Sequence, residues 1–433
     1  MKRFPDAWLA LVLAAVAASP QALAGGPAAT NDTLSKKIIV GYQGWFACPG
    51  DSSGNSAWTH WFKGAIPDAQ HLRVEYLPDI SEYPTDALCP TNLKTADGKP
   101  IQLYSAQNAG VIDVHFRWMA EYGIDGAAVQ RFVGVTHSPD LLKRWDGELL
   151  KERDAAEKNG RVFYVVYDIS NGDESRLVAD ILRDWVHLNR DLKITMSPAY
   201  LHDRGKPVLE LWGFGTVGRP GTPAQARDLI GALRKGENNV PAVTLIGGVA
   251  AGWRTLDGWS KSELEWAAVY RMFDVLSPWF GKLGNSENGE QGLRARAIGD
   301  LAVTEPAGIG YMPVVVPGFS ASNSERLDWG HDQRPNLVPR RCGNHYWMQI
   351  RTYLALHVTA LYAAMFDEVD EGTALFKTVT RPEGLPAGAA MLDLGRDGCD
   401  LPSDWYLRIT GAAGHLLATG AAAPKLLGEA LPR

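Results

Sequence analysis

Eight short runs rich in β-branched and aromatic residues recur along the chain, at 38–46, 124–132, 162–169, 207–212, 242–248, 272–279, 310–317 and 358–366, and longer amphipathic segments separate them. Apolar runs of that length suit strands buried on both faces, and strands that alternate with helices build a parallel sheet covered by those helices. Helix punctuation falls between the runs. Ser138-Pro139 opens a segment that Asn159-Gly160 stops, and Thr222-Pro223 opens one that stops before Gly236. A last helix lies between 404 and 417, with Gly411 and Gly414 leaving its start open. No Ser/Gly/Pro-rich linker divides the chain, so eight βα units in 433 residues fit a single (β/α)8 TIM barrel better than two doubly wound domains. The first βα connection, 47–110, is far longer than usual, and in such barrels the βα loops lie over the face that carries the chemistry.

The two ends and the charge narrow the class further. Lys2 and Arg3 precede an apolar stretch at 8–18, and Ala22-Leu23-Ala24 before Gly25 has the pattern of a signal-peptidase site. Residues 1–24 are therefore expected to be a removed export signal and 25–433 a periplasmic or secreted catalytic domain. The apolar stretch is about half the length of a spanning helix, so no membrane association is expected after cleavage. A net charge of -6 argues against nucleic acid. Four cysteines allow three pairings into two disulfides. Cys48 and Cys89 share the long first connection and are expected to pair, leaving Cys342 with Cys399. None has CxxC or Cys/His spacing, so neither a metal nor a cofactor is expected. A monomer is expected.

Three motifs weaken on inspection. Gly213-Phe214-Gly215-Thr216-Val217-Gly218 matches GxGxxG after a strand, but its glycines do not open the next helix, which starts at Thr222-Pro223. Gly318-Phe319-Ser320-Ala321-Ser322 lacks the last glycine of a nucleophile elbow. Asp51-Ser52-Ser53-Gly54-Asn55 lacks the alternating ligands of a calcium loop and reads as a turn.

The chemistry concentrates after the eighth run. Asp367, Glu368, Asp370 and Glu371 crowd five positions directly behind an apolar segment. Like charges that close disfavour one another's ionisation, so at least one raised pKa is expected. If the chain leaves the strand helically, Glu368 and Glu371 face one side of the mouth, as the two carboxylates of acetal hydrolysis must. Glu371 is expected to hold the raised pKa and act as acid, with Glu368 ionised as base. Aromatic residues gather at other strand ends and in the first loop. Tyr42, Trp45, His60, Trp61, Trp212 and Trp253, with Asp367 and Asp370, are the candidate substrate contacts, since flat rings suit the apolar faces of an oligosaccharide or polysaccharide. A non-catalytic sugar-binding barrel would keep the rings without two converging acids.

Phe366, Glu368, Glu371, Gly372 and Thr373 match the catalytic segment Phe-Asn-Glu-Trp-His-Glu-Gly-Thr of glycoside hydrolase family 99, with Asp367, Val369 and Asp370 in place of its Asn, Trp and His. Gly44-Trp45-Phe46, Trp58-Thr59-His60-Trp61, Leu103-Tyr104-Ser105, Ile112, His115, Gly123-Ile124-Asp125 and Val316-Pro317-Gly318-Phe319 follow in the family's order. The chain thus resembles the family 99 endo-α-mannosidases and the bacterial family 71/99-like proteins. The resemblance implies a metal-free, retaining hydrolysis of internal α-mannosidic bonds. In it Glu368 deprotonates the sugar's 2-hydroxyl, which attacks C1 to give a 1,2-anhydro sugar, and Glu371 serves as acid and then base. It also implies that Asp367→Asn is mild, because the family carries Asn there.

Overall fold

The computed structural model describes residues 27–51, 53–236, 240–279 and 289–431. The export signal expected at 1–24 lies outside the described residues. Among the described residues nine parallel strands form the main sheet: β1 (Lys37–Tyr42), β2 (Gly126–Phe132), β3 (Val162–Asp168), β4 (Lys206–Trp212), β5 (Thr244–Ala250), β6 (Val275–Trp279), β7 (Gly310–Tyr311), β8 (Val314–Val315) and β9 (Ala360–Ala363), with a two-residue antiparallel strand, His202–Asp203, added beside β4. Their hydrogen-bonded order is β7-β6-β5-β4-β3-β2-β1-β9-β8. The two terminal strands of that path are consecutive in the chain, separated only by Met312 and Pro313. All eight expected runs supply strands, and the sheet is barrel-like.

The seventh run differs from expectation in being split. Pro313 has no N–H to donate, so the ladder breaks there. Met312 N–H still reaches Leu276 O on β6 at 2.9 Å, while Pro313 O accepts from Tyr362 N–H on β9 at 3.1 Å. The chain therefore passes from one neighbour to the other across two residues.

Helices α1 (Ala109–Glu121), α2 (Pro139–Asn159), α3 (Leu177–Arg190), α4 (Pro223–Lys235), α5 (Glu265–Tyr270), α6 (Gly289–Thr304), α7 (Ser322–Trp329), α8 (Asn344–Leu354) and α9 (Trp405–Thr419) intervene between strands or follow the last one. Ser138 caps α2 by accepting from Leu141 N–H, and Gly160 ends it at φ 60°. Thr222 and Gln225 form a capping box on α4. Gly411 and Gly414, which left the start of α9 open in the sequence, lie inside it. They let the helix press on the end of α1, where a Cβ at 411 would sit 1.9 Å from Tyr122 O.

The long first connection folds back as an antiparallel hairpin, Leu88–Lys94 with Pro100–Tyr104. Cys48 pairs with Cys89, and Cys342 with Cys399, as expected. The sheet interior is polar for a core: Tyr164, Glu210, Ser277 and Tyr362 are fully buried there, and Gln130 nearly so. Among the described residues no helix is long and apolar enough to cross a membrane.

Candidate active site

The acidic stretch does not continue as a helix. Beyond β9, residues 364–372 form bends and turns, with Val369 N–H bonded to Asp367 O (3.1 Å) and Thr373 N–H to Glu368 O (3.1 Å). The expected helical spacing of Glu368 and Glu371 is replaced by this turn, and the four carboxylates go to different environments.

Asp367 points into the protein. It is wholly buried, and its two oxygens accept the backbone N–H groups of Gln43 (2.8 Å) and Gly44 (2.9 Å) at the end of β1. These two N–H groups therefore turn to a side chain instead of extending the strand, and Gly44 takes a left-handed φ of 63°. Burial pushes the Asp367 carboxyl up to about 7, against the pull of the N–H donors.

Glu368 lies at the mouth, 6% exposed. Its Oε1 accepts from Gln43 Nε2 (2.7 Å) and its Oε2 from the Thr373 hydroxyl (2.6 Å). Burial holds its carboxyl well above the usual range, the charges of Glu371 and Asp370 push the same way, and the two donors oppose them. Raised pKa values thus fall on both Asp367 and Glu368, the second of which was expected to stay ionised. Glu371 is exposed, within electrostatic reach of Glu368.

Asp370 is buried and accepts from His60 Nδ1–H (3.0 Å). His60 adopts a left-handed φ of 61°, uncommon for a non-glycine residue and a mark of a constrained position. Its ring stacks on Trp45 at 3.9 Å and 6°, and Trp45 stacks in turn on Phe132 at 5.6 Å. Trp45 and His60 are half-buried, as is Trp212, whose ring meets Trp279 edge-on at 5.7 Å and lies under the Arg219 guanidinium at 5.4 Å. Among the described residues, Trp45 Nε1, Gln43 Oε1 and Asp370 Oδ1 are buried without a protein partner.

Three expected contacts are instead core residues. Tyr42 is fully buried with its hydroxyl 2.9 Å from His115 Nδ1. Trp61 donates its indole N–H to Tyr104 O (2.9 Å). Trp253 is fully buried against Tyr270. Each sits at a strand end or in a βα loop, but its ring turns inward, because a large apolar face gains most from full burial.

Gln43, Thr373 and Asp168 were missed as site residues. Asp168 closes β3 in register between Phe132 and Trp212, and burial raises its carboxyl while Arg219 opposes the rise. Its signal was only a polar residue ending an apolar run. Gln43 stood unremarked between Tyr42 and Gly44. The GxGxxG stretch forms the loop from β4 to α4 and opens no helix. Ser320 is bound to Glu75 (2.5 Å) and accepts from Asn336 N–H. Asp51 caps its own turn at Ser53 N–H (3.0 Å). Among the described residues no group of three or more His, Cys, Asp or Glu side chains is arranged to hold a metal ion.

No protein-family model matches the chain, nor does any curated protein sequence. Solved structures do match. A GH99 endo-α-mannosidase from Bacteroides thetaiotaomicron in complex with bis-tris-propane superposes with a TM-score of 0.63 at 17% identity, covering 90% of this chain and 100% of that one. A second structure of a GH99 endo-α-mannosidase from the same organism gives 0.63 at 15% identity over 90% and 99% of the two chains. The chain shares its fold with these two structures. At these identities the likeness is one of fold, and it accords with the resemblance read from the motifs.

Proposed function

We propose that the chain is an exported, monomeric (β/α)8 glycoside hydrolase cleaving an α-linked glycan, with Gly310–Tyr311 and Val314–Val315 as one interrupted seventh barrel strand. The observation that carries the reading is Glu368: a mouth carboxyl held by two donors and kept basic by burial, with a second, exposed carboxylate beside it. A general base works best with its pKa near the working pH, so burial suits Glu368 to take a proton from a sugar hydroxyl. The exposed Glu371 suits a leaving oxygen on the solvent side. The stacked Trp45, with Trp212 and Asp168 across the mouth, supplies flat faces and hydroxyl partners for the ring.

Release of reducing ends from mannans, α-glucans, xylans and arabinans tests the activity. On the responsive sugar, Glu368→Gln should abolish turnover of every substrate, whereas Glu371→Gln should spare aryl glycosides with activated leaving groups. Near-normal rates for both variants would remove the catalytic assignment. One observation favours a second reading, a non-catalytic sugar-binding barrel: both Glu368 oxygens are already occupied by protein donors. Sugar binding without release of reducing ends from any substrate would select it.

A further inference from the structure

The loops that follow β4 and β5 pair with each other beyond the mouth. Val217 N–H donates to Trp259 O (2.8 Å) and Lys261 N–H to Gly215 O (2.7 Å), with Thr216 and Ser260 opposed in an antiparallel bridge. Alternation along this ribbon sends Thr216 and Ser260 inward, where the Ser260 hydroxyl lies 3.0 Å from that of Tyr270. It leaves Val217 and Trp259 on the outer side, 58% and 52% exposed. The indole is thus presented on paired backbone, which fixes its position before any ligand arrives.

An open depression of about 480 Å³ adjoins it, lined by Val217, Leu256, Asp257, Lys261 and Glu263 among others. That volume lies within the range of small-molecule sites. Only Gly213 and Phe214 separate this ribbon from Trp212 at the mouth, and Arg219, over the Trp212 ring, ties the loop back to it. Both loops leave the same ends of adjacent strands as the candidate catalytic turn does.

We propose that Trp259 and Val217 form an outlying sugar platform. A pyranose unit of a glycan already engaged in the cleft lays its apolar face on the indole, and Asp257, Lys261 and Glu263 take its hydroxyls. The proposal rests on the glycan-directed reading above and makes the substrate a polymer longer than the cleft alone holds.

Native gels cast with soluble yeast α-mannan, dextran or arabinan test it, using Glu368→Gln protein so that binding is seen without cleavage. At least one polysaccharide should retard this protein, and adding Trp259→Ala should weaken the retention about fivefold or more. Val217→Ser should weaken it less. Binding of a trisaccharide of the same sugar, followed by calorimetry, should not change with Trp259→Ala. Equal retention with and without Trp259, or parallel loss of trisaccharide binding, overturns the platform. So does a change in sedimentation without a change in retention, which would make the patch a protein contact. Reducing ends released from a polysaccharide that shows no retention would end the platform and leave the glycosidase reading intact; neither release nor retention would end both.

Discussion

Asp367→Asn removes a charge from a wholly buried site while keeping the side chain's shape, and above neutral pH its effects on stability and on rate should have opposite signs. In the folded protein burial raises this carboxyl from 3.8 to about 7. The unfolded chain releases the proton near its ordinary pKa, the folded chain keeps it until about pH 7, and wild-type stability therefore falls as pH rises through that window. The accumulated loss above pH 7 is roughly 4 kcal/mol. The amide does not titrate, so the variant should lie below wild type near pH 4 by about 1–3 kcal/mol, the cost of the N–H it leaves unpaired, gain on it steadily up to pH 7 and end above it. The rate should move the other way. Each Asp367 oxygen accepts one N–H, from Gln43 and from Gly44, and an amide has a single acceptor oxygen. One N–H loses its partner, Gln43 loosens, and Glu368 loses the alignment that Gln43 Nε2 gives it. One such bond is worth about 1–3 kcal/mol, so a fall in kcat of about tenfold or more is expected on any substrate turned over. This reverses the mild effect that the family's Asn implied. Urea unfolding at pH 4, 6 and 8 checks the stability claim. A wild-type-to-variant difference that stays constant across those pH values, or a variant less stable at pH 8, would refute the reasoning.

Three further outcomes follow from positions away from the mouth. Glu210, inside the sheet with Tyr164 donating at 2.9 Å, is pushed by burial from 4.5 to about 8. By the same sign, Glu210→Gln should gain on wild type as pH rises from 5 to 8, seen as a smaller drop in melting temperature; equal drops would show that Glu210 does not hold its proton. Gly411→Ala drives a Cβ onto Tyr122 O and should cost about 2–3 kcal/mol or more. Gly147→Ala, within α2 and with open space around its Cβ position, should instead stabilise by roughly 0.5–1 kcal/mol in the same chemical denaturation assay.

The sequence by itself determined the order of the βα units and the caps of α2 and α4, and it pointed to the pairing of the cysteines that the structure shows. These depend on signals a few residues long, such as Ser138-Pro139 or Thr222 with Gln225, or on two cysteines placed in one connection. It also marked where the acids gather, because four carboxylates behind an apolar run are visible without a fold. What it did not determine was which way each side chain turns. Gln43 and Asp367 meet across 324 residues of chain, and no local pattern announces that the strand's last N–H groups abandon the ladder for a carboxylate. Tyr42, Trp61 and Trp253 looked like cleft walls from their positions, and the packing of the first loop and of α5 drew their rings inward. The same packing raised the pKa of Glu368, since spacing tells how close charges lie along the chain and only the tertiary structure removes water from a particular carboxyl.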